Sequence, residues 1–173
     1  MGAPQQDGKG QVLVCDPTTS TRLTLVETLS AAGYLVTEAG DTDTCIELIL
    51  ADAPDVLVLD VTDPTVDSLG LTLTLRDRAP ELPVVVLYEQ GHEFEVRPLL
   101  QAGASDFITV PLNEPTLLLH LVRRNVAHRS HLDSLAGREA ELEDSNRTLD
   151  ENLRVLERDQ QAGFRVQQSL MPQ

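Results

Sequence analysis

PDVLVLDVTDPTVDSLGL, residues 54 to 71, contains the apolar run Val56-Leu57-Val58-Leu59, which stops abruptly at Asp60 and is followed by the turn pair Asp63-Pro64. Continuous β-branched and Leu runs, rather than apolar and polar alternation, mark strands covered on both faces. Two more runs of the same kind flank it, Val12-Leu13-Val14-Cys15 before and Val84-Val85-Val86-Leu87 after. The segments between them carry helix marks. Thr18 to Ala32 opens with hydroxyl residues able to cap, spaces Leu23, Val26 and Leu29 by three, and ends at Gly33. Asp41 to Ala51 repeats the pattern with Cys45, Ile46, Leu48, Ile49 and Leu50. Weaker strands at Tyr34 to Glu38 and Asp106 to Thr109 complete five strand and helix units. Repeated strand-helix alternation predicts an α/β fold, a parallel sheet wound with helices on both faces. Leu69, Leu71, Leu73 and Leu75 alternate strictly, which alone is a strand signal. The segment is still read as helix, starting near Asp63-Pro64-Thr65, because neighbouring parallel strands need a crossover there.

The composition narrows what such a domain does. Thirteen Lys and Arg against 28 Asp and Glu give a net charge of -15, which argues against nucleic acid or an anionic membrane as partner. No apolar run approaches a membrane span, and the start MGAPQQDGKG lacks a signal-peptide stretch, so a cytoplasmic location is expected. Residues 1–10 read as a disordered leader. Cys15 and Cys45 are too few for a disulfide framework or a four-ligand metal site and read as core packing. His128 and His131 share a helix face without a third ligand, and Arg123, Arg124 and Arg129 form a small basic island read as a solvated face.

The last third changes character. Leucines recur every seven residues at Leu121, Leu135, Leu142, Leu149 and Leu156, interrupted by His128, as d positions of a heptad register. The a positions are Leu118, Asn125, Leu132, Glu139, Asn146 and Leu153, so apolar and polar layers alternate. Six heptads make a helix of about 63 Å at ~1.5 Å per residue. So narrow a stripe suits a seam, with a helix packed back on the domain as the alternative. Asn at a favours a parallel, in-register homodimer, with Arg138 and Glu143 pairing between chains.

In a doubly wound parallel sheet, chemistry sits beyond the carboxyl ends of the strands. Asp16 ends the first run and Asp60 the third. Two acids and a backbone carbonyl suit a hard cation such as Mg²⁺, although strand-end Asp residues alone are usually turn formers and caps. VLVCDP at 12 to 17, the 54 to 71 stretch, LPVVVLYE at 82 to 89 and AGASDFITVPLNEPTLL at 102 to 118 resemble, in order and spacing, the receiver domain of two-component response regulators. The resemblance covers residues 11–128 and implies a flavodoxin-like sheet of order 2-1-3-4-5. It also implies that Asp60 is the phosphoacceptor, with Asp16, Asp60 and the Thr62 carbonyl as Mg²⁺ ligands, and that a histidine kinase or phosphotransfer protein is a partner. Pro64, Pro111 and Gly103-Ala104 sit where the family has them.

Four positions depart from the family. Pro17 replaces the second acid after strand one, Tyr88 the switch hydroxyl after strand four, and Val110 the Lys before the last proline. Phe107 stands at the aromatic switch position without a hydroxyl. Phosphoryl transfer depends on charge neutralisation and positioning, so these losses predict a degenerate (pseudo-)receiver with at most weak Mg²⁺ binding. The alternatives are a conventional regulator switched at Asp60 and a non-switching adaptor or scaffold. Residues 129–160 are expected to be a coiled-coil dimerisation helix and residues 161–173 the start of an output-domain linker. RDQQAGFRVQQSLMPQ, 158 to 173, resembles the segment leading into the PPM-type, SpoIIE-like phosphatase domain of RssB-type response regulators. That resemblance implies a C-terminal output or partner in stress or sigma-factor (or anti-sigma) signalling. None of that phosphatase's metal-binding carboxylates is expected in this chain, which is therefore expected not to be an enzyme.

Overall fold

The computed structural model describes residues 9–112 and 114–169, with side chains followed to Glu151 and at Arg154. Strands β1 (Gln11–Cys15), β2 (Leu35–Ala39), β3 (Val56–Asp60), β4 (Val84–Glu89) and β5 (Asp106–Val110) alternate with helices α1 (Thr19–Ala31), α2 (Thr42–Asp52), α3 (Ser68–Arg78), α4 (Glu93–Ala102) and α5 (Pro115–Ser169). All pairings are parallel, in the order β2-β1-β3-β4-β5. This is the expected flavodoxin-like arrangement. The chain divides into two compact units, residues 1–130 and 131–173. Among the described residues no helix is long and apolar enough to cross a membrane. The leader residues 1–8 and the tail residues 170–173 lie outside the described residues.

The apolar runs split by parity, as side chains alternate across a pleated strand. Leu13, Cys15, Leu57, Leu59, Val84 and Val86 face α2, α3 and α4, where Cys45, Ile49, Leu71, Leu75, Val96 and Leu99 cover them. Val12, Val14, Val56, Val58, Val85 and Leu87 face Leu25 and Leu29 of α1 and Leu118, Leu121 and Val122 of α5. Burial on both faces explains why β1, β3 and β4 lack polar alternation.

The helix ends differ from the sequence reading in instructive ways. Thr18 makes no side-chain cap; Asp16 accepts from the Thr18 N–H at 2.7 Å instead. On α1, Leu25 and Leu29 are buried while Leu23 is half exposed, so the core stripe is offset from the one expected. Asp41 is the cap of α2 rather than its first residue, accepting from the N–H and the hydroxyl of Thr44 at 2.8 Å each. Asp63 closes a turn on Thr65, and α3 starts later, at Ser68, capped by Asp67. The alternating leucines resolve into two i,i+4 pairs. Leu71 and Leu75 are in the core, whereas Leu69 and Leu73 are about 40% exposed on the outer side of the same helix.

The dimer-seam reading needs correction at its start. Leu118 is 0% exposed and Leu121 8%, both within the core beside α1, so neither is available to a second chain. Asn125 is likewise buried, donating to Asp106 Oδ2 at 2.6 Å and to the Leu121 carbonyl at 2.9 Å. The first turns of α5 therefore obey a globular amphipathic pattern that coincides with the heptad over one repeat. In the second unit Leu132 is half-buried, and Leu135, Leu142, Asn146 and Leu149 are exposed. The side chains of Leu153 and Leu156 lie outside the described residues. Leu118→Ala is expected to cost about 3–5 kcal/mol, the range for a buried Leu whose cavity does not collapse. Chemical denaturation measures that loss, and sedimentation should show the parent's oligomeric state retained.

Candidate functional site

β1 and β3 pair side by side with Cys15 opposite Leu59, so the next residues, Asp16 and Asp60, emerge together at the carboxyl edge of the sheet. Both are almost fully buried, at 1% and 3% exposure. Their hydrogen bonds set their roles. Asp16 Oδ1 accepts from the Thr18 N–H, and Oδ2 accepts a short hydrogen bond from the Thr21 hydroxyl, which ties the carboxylate to the first turn of α1. Arg22 donates through Nη1 to the Asp16 carbonyl at 2.6 Å and through Nε to Glu38 at 3.0 Å. Asp16 thus performs the capping task that strand-end aspartates commonly have.

Asp60 Oδ1 accepts from the Thr62 N–H at 2.7 Å and from the Thr62 hydroxyl at 2.6 Å. Oδ2 has no protein donor among the described residues. Beyond it lies a cleft of about 510 Å³. It is lined by Ser20, Thr21, Thr24 and Leu25 of α1, by Asp60, Thr62, Leu87 and Glu89 at the ends of β3 and β4, and by Val110, Pro111 and Leu112 at the end of β5 and after it. The Val110-Pro111 peptide is cis. Every ionisable group on this lining is acidic.

Burial raises the Asp60 carboxyl above the usual carboxylate range, helped by the negative charges of Asp16 and Asp63 and opposed by the two Thr62 bonds. The sign of the linkage follows directly. The folded chain binds the Asp60 proton more readily than the unfolded chain, so stability falls as pH rises from the ordinary carboxylate pKa through the raised one, and the penalty is complete above it. Asp60→Asn keeps the acceptor for Thr62 and removes the charge. It is expected to stabilise the protein at pH 7 by on the order of 1 kcal/mol, about 3–6 °C in Tm. The gain should vanish below about pH 4; calorimetry of both proteins across pH 3 to 8 checks this.

The departing positions are also placed. Tyr88 and Phe107 are partly buried against the α2, α3 and α4 core, and Val110 is half-buried against the α1 and α5 core while lining the cleft. Pro17, half-buried, supplies no oxygen from its side chain. The Asp16 and Asp60 carboxylates, two of the three ligands implied for Mg²⁺, are gathered at one edge of the sheet with Thr62 beside Asp60. Mg²⁺ demands near-octahedral oxygens and usually takes one or two carboxylates. Here the Asp16 oxygens accept from the Thr18 N–H and the Thr21 hydroxyl and Asp60 Oδ1 from Thr62, while each carboxylate keeps lone pairs able to meet a cation. Among the described residues no group of three His, Cys, Asp or Glu side chains is arranged to hold a metal. Cys15 and Cys45 are free thiols together in the core, and the hydrogen bond to Cys15 together with burial pushes the Cys45 thiol up.

Sequence reading did not find Thr21, Arg22 or Glu89. Thr21 and Arg22 stand five and six residues after Asp16, a spacing set by the turn between β1 and α1. Glu89 ends β4 one residue beyond Tyr88.

Residues 12–122 match the response regulator receiver domain family. Among curated proteins, the chain is 34% identical over 140 residues to response regulator MprA of Mycolicibacterium vanbaalenii, covering 81% of this chain and 60% of that protein. The chain therefore spans less than two thirds of the length of that relative. Among solved structures it is similar to NtrX from Brucella abortus, with a TM-score of 0.67 and 26% identity over 73% of this chain and 28% of that one. A putative response regulator from Chloroflexus aurantiacus gives a TM-score of 0.63 and 28% identity over 68% of this chain and 98% of that one. With the paired aspartates at the carboxyl edge of a 2-1-3-4-5 sheet, these similarities lead to one conclusion: the chain belongs to the response regulator receiver domain family.

Proposed function

We propose that the chain is a degenerate receiver, a pseudo-receiver whose Asp60 cleft does not work as a phosphoryl switch, and that it acts as a regulatory module by binding a partner. The observation that supports this reading is the Asp60 carboxylate itself, buried with Oδ2 open to a cleft that no Lys or Arg lines among the described residues. A transferring phosphoryl group brings more negative charge to that oxygen, and transfer relies on preorganised positive charge to offset it. Val110 gives none, Pro17 removes a metal-ligating carboxylate, and Glu89 adds a further negative group. Tyr88 and Phe107, packed into the opposite core, offer no small hydroxyl to follow a phosphoryl group.

The second unit supplies the other half of the proposal. Leu135, Leu142 and Leu149 are exposed at heptad spacing, and a helix with such a stripe gains stability by pairing with a second copy in a parallel coiled coil. Output control at the C-terminal end, in stress or sigma-factor signalling, is proposed on the likeness of residues 158–173 to RssB-type linkers. A histidine kinase or phosphotransfer protein is a partner only on the conventional reading, which the open Oδ2 of Asp60 favours. Beryllofluoride, a phosphoryl mimic, separates the two. With Mg²⁺ it should leave the amide spectrum around Asp60, Tyr88 and Val110 unmoved; saturable shifts there would support the conventional switch.

A further inference from the structure

The Asp60 cleft is charged with one sign only. Asp60 is 3% exposed, its Oδ2 has no donor among the described residues, and the only other ionisable group on the lining is Glu89. Among the described residues no Lys or Arg lines the cleft, and His92 Nδ1 lies 3.7 Å from Glu89 Oε2, off the lining that holds Asp60. The chain has a single lysine, Lys9, and its side chain lies against Gly33 at the amino ends of β1 and β2, the opposite edge of the sheet. Arg22, the arginine of α1, spends its guanidinium on the Asp16 carbonyl and on Glu38. A buried carboxylate with no cation beside it is costly even when one oxygen is hydrogen-bonded, so a cation entering here gains a charge-assisted hydrogen bond to Oδ2 that water competes for poorly.

The rest of the lining describes what that cation is attached to. Leu87, Val110 and Leu112 form an apolar wall beside Asp60, and a cleft of about 510 Å³ holds a ligand well beyond a bare ion. A hydrated metal ion has no use for such a wall, whereas the body of an organic amine does. We propose that this cleft binds a small organic ammonium, a protonated primary amine on an apolar body, with the ammonium on Asp60 Oδ2 and the body against Leu87, Val110 and Leu112. The ammonium takes the place of the cation that the chain does not supply. This deepens the reading of a cleft without a phosphoryl switch and rests on it.

Phenethylamine is a suitable probe, titrated into the isotopically labelled full chain at pH 7. Saturable amide shifts at residues 60–62 and 108–112 are expected, with half-saturation at about 1–10 mM for a ligand of this size. Asp60→Asn should weaken binding at least ~10-fold, since it removes the charge-assisted bond while keeping the Thr62 contacts. Val110→Lys, which places a tethered ammonium on the same lining, should block the probe. 2-Phenylethanol, with the same body and no charge, should not saturate. No saturable shift in the parent up to about 20 mM, or equal affinity in Asp60→Asn, overturns the proposal. Nα-acetyl-lysine amide tests the other source of the same chemistry. If it binds more tightly than phenethylamine, the occupant is a lysine of a protein partner and the small-ligand proposal falls. A phosphoryl gain with acetyl phosphate would overturn the inert-cleft reading instead, and loss of amine binding would leave that reading in place.

Discussion

Pro17→Asp combined with Val110→Lys is expected to turn Asp60 into an efficient phosphoacceptor, gaining one phosphoryl group from acetyl phosphate and Mg²⁺ while the parent chain gains none. Both substitutions restore charge at the edge of the sheet where Asp60 emerges. An acid at 17 provides carboxylate oxygens free of the hydrogen bonds that Asp16 accepts from Thr18 and Thr21, and adds a further carboxylate beside Asp60 for Mg²⁺. A lysine at 110 puts an ammonium on the lining of the cleft that Asp60 faces, where a developing phosphoryl charge needs it. Each restored contact of this kind is worth about 10²–10³ in rate, and the pair on the order of 10⁴ if they act in part together. Intact mass with Asp60→Ala in the same background checks that the new phosphate is on Asp60. Tyr88 remains packed in the core, so the restored variant should carry a phosphate without relaying it.

The second large effect concerns the heptads. Leu142→Asp with Leu149→Asp is expected to convert a dimer into a monomer in analytical sedimentation while the receiver keeps its melting transition. Both leucines are more than half exposed, so neither substitution touches the sheet core. In a paired coil the same positions are knobs between helices, and burying an unpaired carboxylate there costs several kcal/mol per site, enough to abolish association at micromolar concentration. A parent chain that sediments as a monomer at that concentration would remove the coiled coil from the account. The positions matter: the same test at Leu118 or Leu121 would unfold the receiver, because those residues belong to its core.

Where the sequence reading succeeded and where it slipped share a physical cause. Strands β1, β3 and β4 are legible because burial on both faces leaves unbroken apolar runs, and the aspartates that end the first and third runs do stand together at one edge of the sheet. Helix starts were displaced because an Asp before a Thr or Ser reads equally as turn or cap; Asp63 proved the turn and Asp67 the cap. Leu118 and Leu121 were assigned to the wrong partner because one heptad of a coiled coil and two turns of an amphipathic helix look alike. The site's electrostatics were only half visible. The missing lysine and second acid could be read from Val110 and Pro17, but not that Thr18 and Thr21 engage both oxygens of Asp16, nor that Glu89 reaches the cleft. Those facts depend on how the loop after β1 folds back, which no local pattern records.

Asp60 lines its cleft with no Lys or Arg beside it among the described residues, and is therefore expected not to take up a phosphoryl group. Intact mass after incubation with Mg²⁺ and acetyl phosphate, beside Asp60→Ala and a phosphorylatable receiver as positive control, tests that claim most directly. No gain in the parent, alongside full reaction of the control, is the predicted result. A gain of one phosphoryl group that Asp60→Ala abolishes and hydroxylamine removes would contradict it and return the chain to the conventional switch.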